Sequence, residues 1–196
     1  AEQIDFEPLK TAKWLYIEGY LSTSDTARIA VKQARELAKA HGVKIALSLS
    51  DPAMVQYARQ GLEELLDDGV DLLFCNEQEA LMFTNTENLD DAIAALKLNN
   101  QHIVITQGAN GAVIIDPAQQ FHVAGRHVDA VDTNGAGDAF AGAFLYAINA
   151  GLSLEAAAQL AILISSEVVA QFGPRLAVEN YAKLFEQFKS TQQECA

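Results

Sequence analysis

The segment DTNGAGDAF at residues 132–140 places a carboxylate after three small residues and directly ahead of an apolar helical pattern. Gly135, Ala136 and Gly137 allow the backbone to approach a ligand closely. If a helix begins here, its first N–H groups have no partner within the helix, and together with the helix dipole they form an anion site. Asp138 would lie in the first turn, beside the anion. The pattern therefore predicts either an anion site with an adjacent carboxylate, or only an acidic residue favoured at a helix start.

Two familiar phosphate-binding motifs do not fit this segment. Gly137 and Gly142 have the glycine spacing of a P-loop, but Ala143 and Phe144 replace its Lys-Ser/Thr pair. The triplet GAG begins like a dinucleotide-binding fingerprint, but Phe140 stands where that motif needs its third glycine. The segment is therefore neither a Walker A loop nor a Rossmann loop.

Two further polar motifs follow predicted strands. In NEQEA, Asn76 and Glu79 have the spacing of a helix-capping box, and such a Glu still presents an oxygen to a hydrated Mg²⁺. In TQGANGA, Thr106, Gly108 and Gly111 fit an ordinary strand–turn–strand or a loop beside a phosphate. None of these motifs contains Lys or Arg, so we expect Mg²⁺ to supply the positive charge for any phosphate ligand.

The elements that must position these motifs alternate between strand and helix. Strands are predicted at 13–17 (KWLYI), 43–50 (VKIALSLS), 70–75 (VDLLFC) and 102–106 (HIVIT). Helices are predicted from Ser22 or Ser24 to Gly42, at 52–67, from Asn76, and at 89–99. GAVIID, FHVA and HVDAV, between residues 108 and 131, are predicted to be short antiparallel strands, and helices follow at 135–149, 153–170 and 178–188. This alternation predicts an α/β fold with a mostly parallel sheet covered by helices, whose ligands bind at the carboxyl ends of strands.

The composition and net charge exclude several classes of protein and of partner. Half of the 196 residues are hydrophobic, which predicts a single α/β domain over residues 1–196. The formal net charge of −13 argues against nucleic acid as a partner. No apolar run has the roughly 18 residues of a membrane span, so no membrane partner is expected. Cys75 and Cys195 form no CxxC motif, which favours a reducing cytoplasm, with Cys75 in the core and Cys195 in a frayed tail.

The segment DTNGAGDAFAGAFL at residues 132–145 resembles the signature of the ribokinase (PfkB) family of carbohydrate and nucleoside kinases. The resemblance implies a three-layer sandwich with a mostly parallel central sheet, and ATP and Mg²⁺ as cofactors. It implies that Asp138 is the catalytic base and that the backbone of Gly135, Ala136 and Gly137 forms the anion hole. YIEGYL, LSLSDP, LLFCNEQEA and QFGPR resemble the adenosine kinase-like branch.

The same resemblance implies roles for the supporting motifs. Asn76 and Glu79 match an Asn-x-x-Glu that helps to organise magnesium and phosphate, largely through water. Thr106 and Gly108 would line the phosphate side of the nucleotide, and Gly111 the turn into a hairpin.

By the same resemblance, the later motifs imply a monovalent-cation site, such as one for K⁺, and the contacts to the adenine. Asp132, Asn134 and Gly173 lie where many relatives place that cation. The segment AILISSEVVAQFGPR at residues 161–175 resembles a late helix that packs beside the adenine. Three of its positions depart from the family pattern: Ile162, Ser165 and Ser166.

The resemblance extends over nearly the whole chain, but it corresponds only to the later part of the sequences of family members. We expect the first strands of the sheet, the lid and most acceptor contacts to be missing, so that the 196 residues alone bind nucleotide weakly and phosphorylate almost nothing. The reason is that positioning can contribute about 7–11 kcal/mol of the barrier. An unpaired sheet edge or apolar patch would favour a homodimer.

Three functions remain open at this point. The first is an ATP-dependent kinase that acts on a hydroxyl of a small-molecule nucleoside or sugar, of the adenosine kinase or the ribokinase/fructokinase type. The second is a nucleotide-binding module without chemistry of its own. The third is a scaffold whose glycines serve only packing.

Overall fold

The computed structural model describes residues 4–194, with side chains to residue 191. The chain divides into two compact units. The first reaches Thr106 and also takes in Ile115–Gln120, and the second comprises Gln107–Ile114 and continues from Phe121. The prediction that residues 1–196 form a single domain stays a prediction.

The first unit contains four parallel strands in chain order. They are β1 (Trp14–Glu18), β2 (Lys44–Ser48), β3 (Leu72–Asn76) and β4 (His102–Thr106). The register aligns Tyr16 with Ala46, Ala46 with Leu72, and Asn76 with Thr106. The carboxyl ends of β3 and β4 therefore lie side by side.

Helices connect these strands, and several begin and end where the sequence predicts. They are α1 (Asp25–His41), α2 (Pro52–Tyr57), α3 (Arg59–Leu66), α4 (Glu77–Thr84) and α5 (Leu89–Leu96), with 3₁₀ turns at Glu7–Thr11 and Gly19–Thr23. The hydroxyl of Ser24 accepts the N–H of Ala27, which caps α1. Gly42, at φ +68°, ends the same helix in the left-handed conformation that glycine favours.

The second unit consists of a two-stranded segment followed by three helices. After a 3₁₀ turn at Gly108–Asn110 come β5 (Gly111–Ile115), β6 (Gln120–Ala124), α6 (Ala136–Asn149), α7 (Leu154–Val169) and α8 (Val178–Glu194). Helices α6 and α7 pack closely because small residues such as Ala147, Ala157 and Ala161 are fully buried. Phe140 stacks on Phe144 at 6.2 Å between ring centroids and fills the core of this unit.

The predicted fold class is confirmed. The chain has a mixed α/β sheet of six strands flanked by helices, and the strands of the first unit are parallel.

Two predicted elements were wrong. Residues 127–131 form no strand, because the N–H groups of Val131 and Asp132 donate to the carbonyl of Val169 at the end of α7 instead of to a strand partner. The single helix predicted at 52–67 is two helices that meet at Ala58, and the second brings Gly61 against the backbone carbonyl of Ser22. The other predicted elements are present, some of them with shifted ends.

Within residues 4–194, none of the helices combines the length and the apolar character that crossing a bilayer requires. Cys75 is buried and free, as predicted, and burial raises the pKa of its thiol well above the ordinary value. Cys195 lies outside the described residues.

Candidate active site

The glycine-rich turn leads into α6 with free backbone donors. Gly135 is the N-cap residue, in the left-handed region at φ +75°. The N–H of Ala136 donates to the carbonyl of Thr133 at 3.3 Å, so this amide is already engaged in a turn. Within the described part of the chain, the amides of Gly137 and Asp138 bond to no protein acceptor. Two N–H groups at the positive end of the helix dipole are therefore available to an anion.

The side chain of Asp138 is exposed and faces a pocket of about 710 Å³ in the second unit. Among residues 4–191, no hydrogen bond or ion pair engages its carboxylate. The rest of the lining comes from α6, α7, α8 and the loop before α8: Ala139, Gly142, Ala143, Tyr146, Ile164, Pro174, Arg175, Tyr181, Ala182 and Phe185. A mostly apolar pocket with one unpaired carboxylate can hold a small organic molecule and accept a proton from it.

Asp132 ties the glycine-rich turn to the loop that follows α7. Its carboxylate accepts the N–H of Asn134 at 3.0 Å and the N–H of Gly173 at 3.1 Å. These two bonds to the charged form, with that of Asn134 contributing most, lower the pKa of Asp132 below its ordinary value. The three residues predicted to bind a monovalent cation are thus brought together, with the carboxylate ionised at neutral pH.

A second contact joins the same two segments. A Cβ atom at Gly135 would overlap the carbonyl oxygen of Pro174 and lie 2.6 Å from its Cβ. Only glycine fits there, both because of this close approach and because of its positive φ. The geometry of the glycine-rich turn therefore depends on the loop at residues 171–176 as well as on its own sequence.

In the first unit, Asn76 and Glu79 form the predicted capping box at the start of α4. The side-chain carbonyl of Asn76 accepts the N–H of Glu79 at 2.8 Å, and the Glu79 carboxylate accepts the N–H of Asn76 at 2.9 Å. Its second oxygen accepts the side-chain amide of Asn76 at 2.6 Å. The capping interpretation is therefore confirmed by the structure, and it leaves the magnesium interpretation open.

Glu79 is a buried acid beside a second carboxylate. Its side chain is 4% exposed, and burial raises its pKa to about 7 even though the N–H of Asn76 favours the ionised form. The nearby charge of Asp51, the N-cap residue of α2, raises that pKa further. This carboxyl group therefore changes its charge close to neutral pH.

Thr106 ends β4 next to Asn76 on β3, so these two polar residues share the carboxyl edge of the parallel strands. In the second unit, Gly108 and Gly111 have φ values of +58° and +99°. The loop that contains them is closed by the N–H of Gln107, which donates to the carbonyl of Gly111 at 2.8 Å. A Cβ at Gly111 would overlap the carbonyl oxygen of Val123, so β5 and β6 approach each other closely here.

The predicted site residues thus fall into three groups. The first unit brings together Asn76, Glu79 and Thr106. The second unit brings together Asp132, Asn134, the segment 135–138 and Gly173. Gly108 begins the turn ahead of β5, and Gly111 is the first residue of that strand.

The three residues of α7 that depart from the family pattern, Ile162, Ser165 and Ser166, are either buried or hydrogen-bonded within their own helix. Ile162 and Ser166 are buried. The hydroxyl of Ser165 donates to the carbonyl of Ile162, and that of Ser166 to the carbonyl of Leu163. The two serine hydroxyls therefore already donate to carbonyls of their own helix.

Sequence reasoning missed two residues near these groups. Arg175 lines the same pocket as Asp138, and Asp51 acts on the charge of Glu79. The only signal for Arg175 was its place two residues after Gly173 in QFGPR, and for Asp51 its place at the end of LSLSD.

Comparison with known proteins identifies the family of this chain. The family model described as pfkB family carbohydrate kinase matches residues 1–180. An adenosine kinase of Schizophyllum commune is 30% identical over 182 residues, which cover 83% of this chain and 52% of that protein. This chain therefore spans about half the length of the curated relatives that it matches.

Solved structures resemble the chain over most of its length. The adenosine kinase from Sinorhizobium meliloti superposes with a TM-score of 0.89 at 34% identity, covering 95% of this chain and 57% of that one. A putative ribokinase II from E. coli, in complex with ATP and Mg²⁺, superposes with a TM-score of 0.84 at 25% identity, covering 95% of this chain and 62% of that one. The predicted ribokinase-like architecture is confirmed. Because the family model matches nearly the whole sequence, this chain belongs to the pfkB family of carbohydrate kinases.

Proposed function

We propose that this chain is the nucleotide-binding and catalytic portion of an ATP-dependent kinase that transfers the γ-phosphoryl group to a hydroxyl of a nucleoside or sugar. The observation that carries the proposal is the arrangement at the start of α6. There the exposed carboxylate of Asp138 lines a pocket, and the amides of Gly137 and Asp138 have no acceptor among the described residues. One group can accept a proton, and the others can stabilise the negative charge of a phosphoryl group.

In this proposal Asp138 is the base that accepts the proton of the acceptor hydroxyl. A carboxylate is too weak a base to form an alkoxide beforehand, so the proton moves late, as a loose phosphoryl-transfer transition state allows. The anion hole consists of the backbone at Gly135–Gly137 together with the amide of Asp138. Since the amide of Ala136 is engaged by Thr133, the free amides of Gly137 and Asp138 provide most of the donors.

Asn76 and Glu79 are the residues that we propose for Mg²⁺. Their hard oxygen donors suit this ion, which is usually held by one or two carboxylates together with water and substrate phosphates. Among the side chains of residues 4–191, no three His, Cys, Asp or Glu are grouped as metal ligands, so phosphate oxygens and water would complete the coordination. Bound Mg²⁺ would neutralise part of the charge on the phosphates.

The remaining predicted residues take supporting roles. We propose that Thr106, Gly108 and Gly111 line the nucleotide phosphates. Asp132, Asn134 and Gly173 would hold a monovalent cation such as K⁺; the Asp132 carboxylate retains lone pairs beyond its two hydrogen bonds.

For the acceptor we propose an adenosine kinase-like specificity, because relatives named adenosine kinase match in sequence and in structure. A sugar of the ribokinase or fructokinase type is the alternative acceptor. A nucleotide-binding module without catalysis is the alternative from a different class, and it is favoured by the partial span of the chain relative to its relatives. We expect the 196 residues alone to transfer phosphate slowly, because acceptor positioning is worth several kcal/mol.

The test compares this chain with its Asp138→Asn variant. MgATP binding is measured by titration calorimetry, and transfer to a panel of nucleosides and sugars is measured with radiolabelled ATP, which detects slow turnover. We expect both proteins to bind MgATP, and the variant to lose about 10²–10⁴-fold in transfer rate. Equal transfer rates would disprove the role of Asp138. MgATP binding without any transfer by the unchanged chain would favour the non-catalytic module.

A further inference from the structure

Arg175 is held in a fixed place on the loop between α7 and α8. Its carbonyl accepts the side-chain amide of Gln171 at 3.0 Å. On one side the N–H of Gly173 donates to Asp132, and on the other the N–H of Leu176 donates to the hydroxyl of Tyr181 at 3.2 Å. Leu176 is buried and anchors the loop. The backbone that carries Arg175 is thus fixed on both sides.

The guanidinium of Arg175 differs from those of the other arginines. Four of the five arginines bond to a carboxylate or a backbone carbonyl: Arg28 to Glu64, Arg35 to Leu66, Arg59 to Met82 and Arg126 to Glu167. In the described part of the chain, no acceptor bonds to the guanidinium of Arg175. Arg175 is exposed, and although the chain has 26 acidic and 13 basic residues, none of the described carboxylates pairs with its guanidinium, which leaves this charge available to a ligand.

This unpaired cation lines the same pocket as Asp138. Among the described residues, no ion pair joins these two side chains. A ligand in this pocket would meet a proton acceptor and a planar guanidinium donor together. The guanidinium fork matches the oxygens of a phosphoryl group, and such charged hydrogen bonds are stronger than neutral ones.

We infer that Arg175 contacts the γ-phosphoryl group of ATP and stabilises its negative charge during transfer, an inference that rests on the proposed function. If Asp138 accepts the proton of the attacking hydroxyl, the reacting phosphorus lies near its carboxylate, beside the pocket that Arg175 also lines. The hydroxyl oxygen forms a bond to this phosphorus, the bond to the β-phosphate oxygen breaks, and ADP leaves with the electron pair. Arg175 stays protonated throughout.

The test is calorimetric titration of MgATP and MgADP into the chain and its Arg175→Gln variant. Lys183→Gln is the matched control, because it removes one exposed positive charge from α8 without touching the pocket lining. We expect R175Q to weaken MgATP binding by about tenfold or more, with MgADP binding unchanged within about twofold. K183Q should bind both nucleotides like the unchanged chain, and Arg175→Lys, which keeps the charge but not the fork, should fall between.

The outcomes separate this inference from the proposed function. If the unchanged chain binds neither nucleotide, the proposed function fails. If it binds both and R175Q binds MgATP equally well, only the role of Arg175 fails. An equal loss for MgATP and MgADP in R175Q would also overturn the assignment to the transferred group. R175Q and K183Q should unfold at the same temperature. If R175Q unfolds at a lower temperature, the MgATP and MgADP affinities of R175K are compared instead.

Discussion

The carboxylate of Asp132 accepts the N–H of Gly173, 41 residues further along the chain, at 3.1 Å. Its other oxygen accepts the N–H of Asn134, at the start of the glycine-rich turn. One ionised side chain thereby holds two segments of the proposed site in a fixed arrangement. Asp138 lies on one of these segments and Arg175 on the other.

Asp132→Ala should loosen the loop at residues 171–176 without unfolding the second unit. Both amides that it frees lie near the surface and can bond to water, so thermal stability should change little. Hydrogen–deuterium exchange of the peptide that contains Gly173 should accelerate, and MgATP binding should weaken by about tenfold. Asp129→Ala is the control, because Asp129 is exposed in the preceding segment and forms no described bond. Unchanged exchange at Gly173 would contradict the tethering role.

Gly135→Ala should destabilise the protein by roughly 1–3 kcal/mol. The new Cβ would overlap the carbonyl oxygen of Pro174, and the residue must keep a φ of +75°. Gly142→Ala should instead stabilise it by about 0.5–1 kcal/mol, since Gly142 is exposed within α6 and a Cβ there has no described heavy atom within 4 Å, apart from its sequence neighbours and its own helix backbone. Urea unfolding of both variants measures the two effects. Unchanged stability in Gly135→Ala would show that the contact with Pro174 does not constrain the turn.

Gly137→Ala should separate function from stability. A Cβ at this position has no described heavy atom within 4 Å, excluding its sequence neighbours and its own helix backbone, so the free energy of unfolding should change by less than about 1 kcal/mol. The methyl group would nevertheless stand beside the free amides, where the phosphoryl group is proposed to approach. MgATP affinity should therefore fall in Gly137→Ala and stay unchanged in Lys183→Gln, which alters an exposed residue outside the pocket lining. Full affinity in Gly137→Ala would place the phosphate elsewhere.

Glu79 should make stability fall as the pH rises toward 8. Its folded pKa of about 7 lies above the ordinary value of 4.5 because the carboxyl group is buried. The folded state therefore holds this proton more tightly than the unfolded state does. The resulting stabilisation is complete below pH 4.5 and is lost as the pH passes through 7.

Glu79→Gln removes this titration, and its stability relative to the unchanged chain should rise between pH 5 and pH 8, by at most about 3 kcal/mol. Urea unfolding in the presence of a chelator measures the difference at each pH. Glu87→Gln, at an exposed position between α4 and α5, is the control and should show no such trend. A constant difference between Glu79→Gln and the unchanged chain would show that Glu79 titrates at an ordinary pKa.

Local patterns in the sequence determined the parts of the site that depend on near neighbours. The capping box of Asn76 and Glu79 spans three residues, and the start of α6 follows from the glycines just before it. The parallel strands of the first unit followed from apolar runs that alternate with helices. The capping box and the helix start depend on interactions within a few residues, and the strands depend on burial of both faces of the sheet. Both properties are visible in a single sequence.

Tertiary structure decided the rest. The alternating residues 127–131 resemble a strand, but their last amide bonds to the end of α7, which lies far along the chain. The pairing of Asp132 with Gly173, the contact of Gly135 with Pro174, and the place of Arg175 in the Asp138 pocket likewise join distant segments. The sequence alone determined which residues could bind an anion and accept a proton. Which distant groups join them was decided by packing, because the energy of those contacts exists only once the intervening helices are in place.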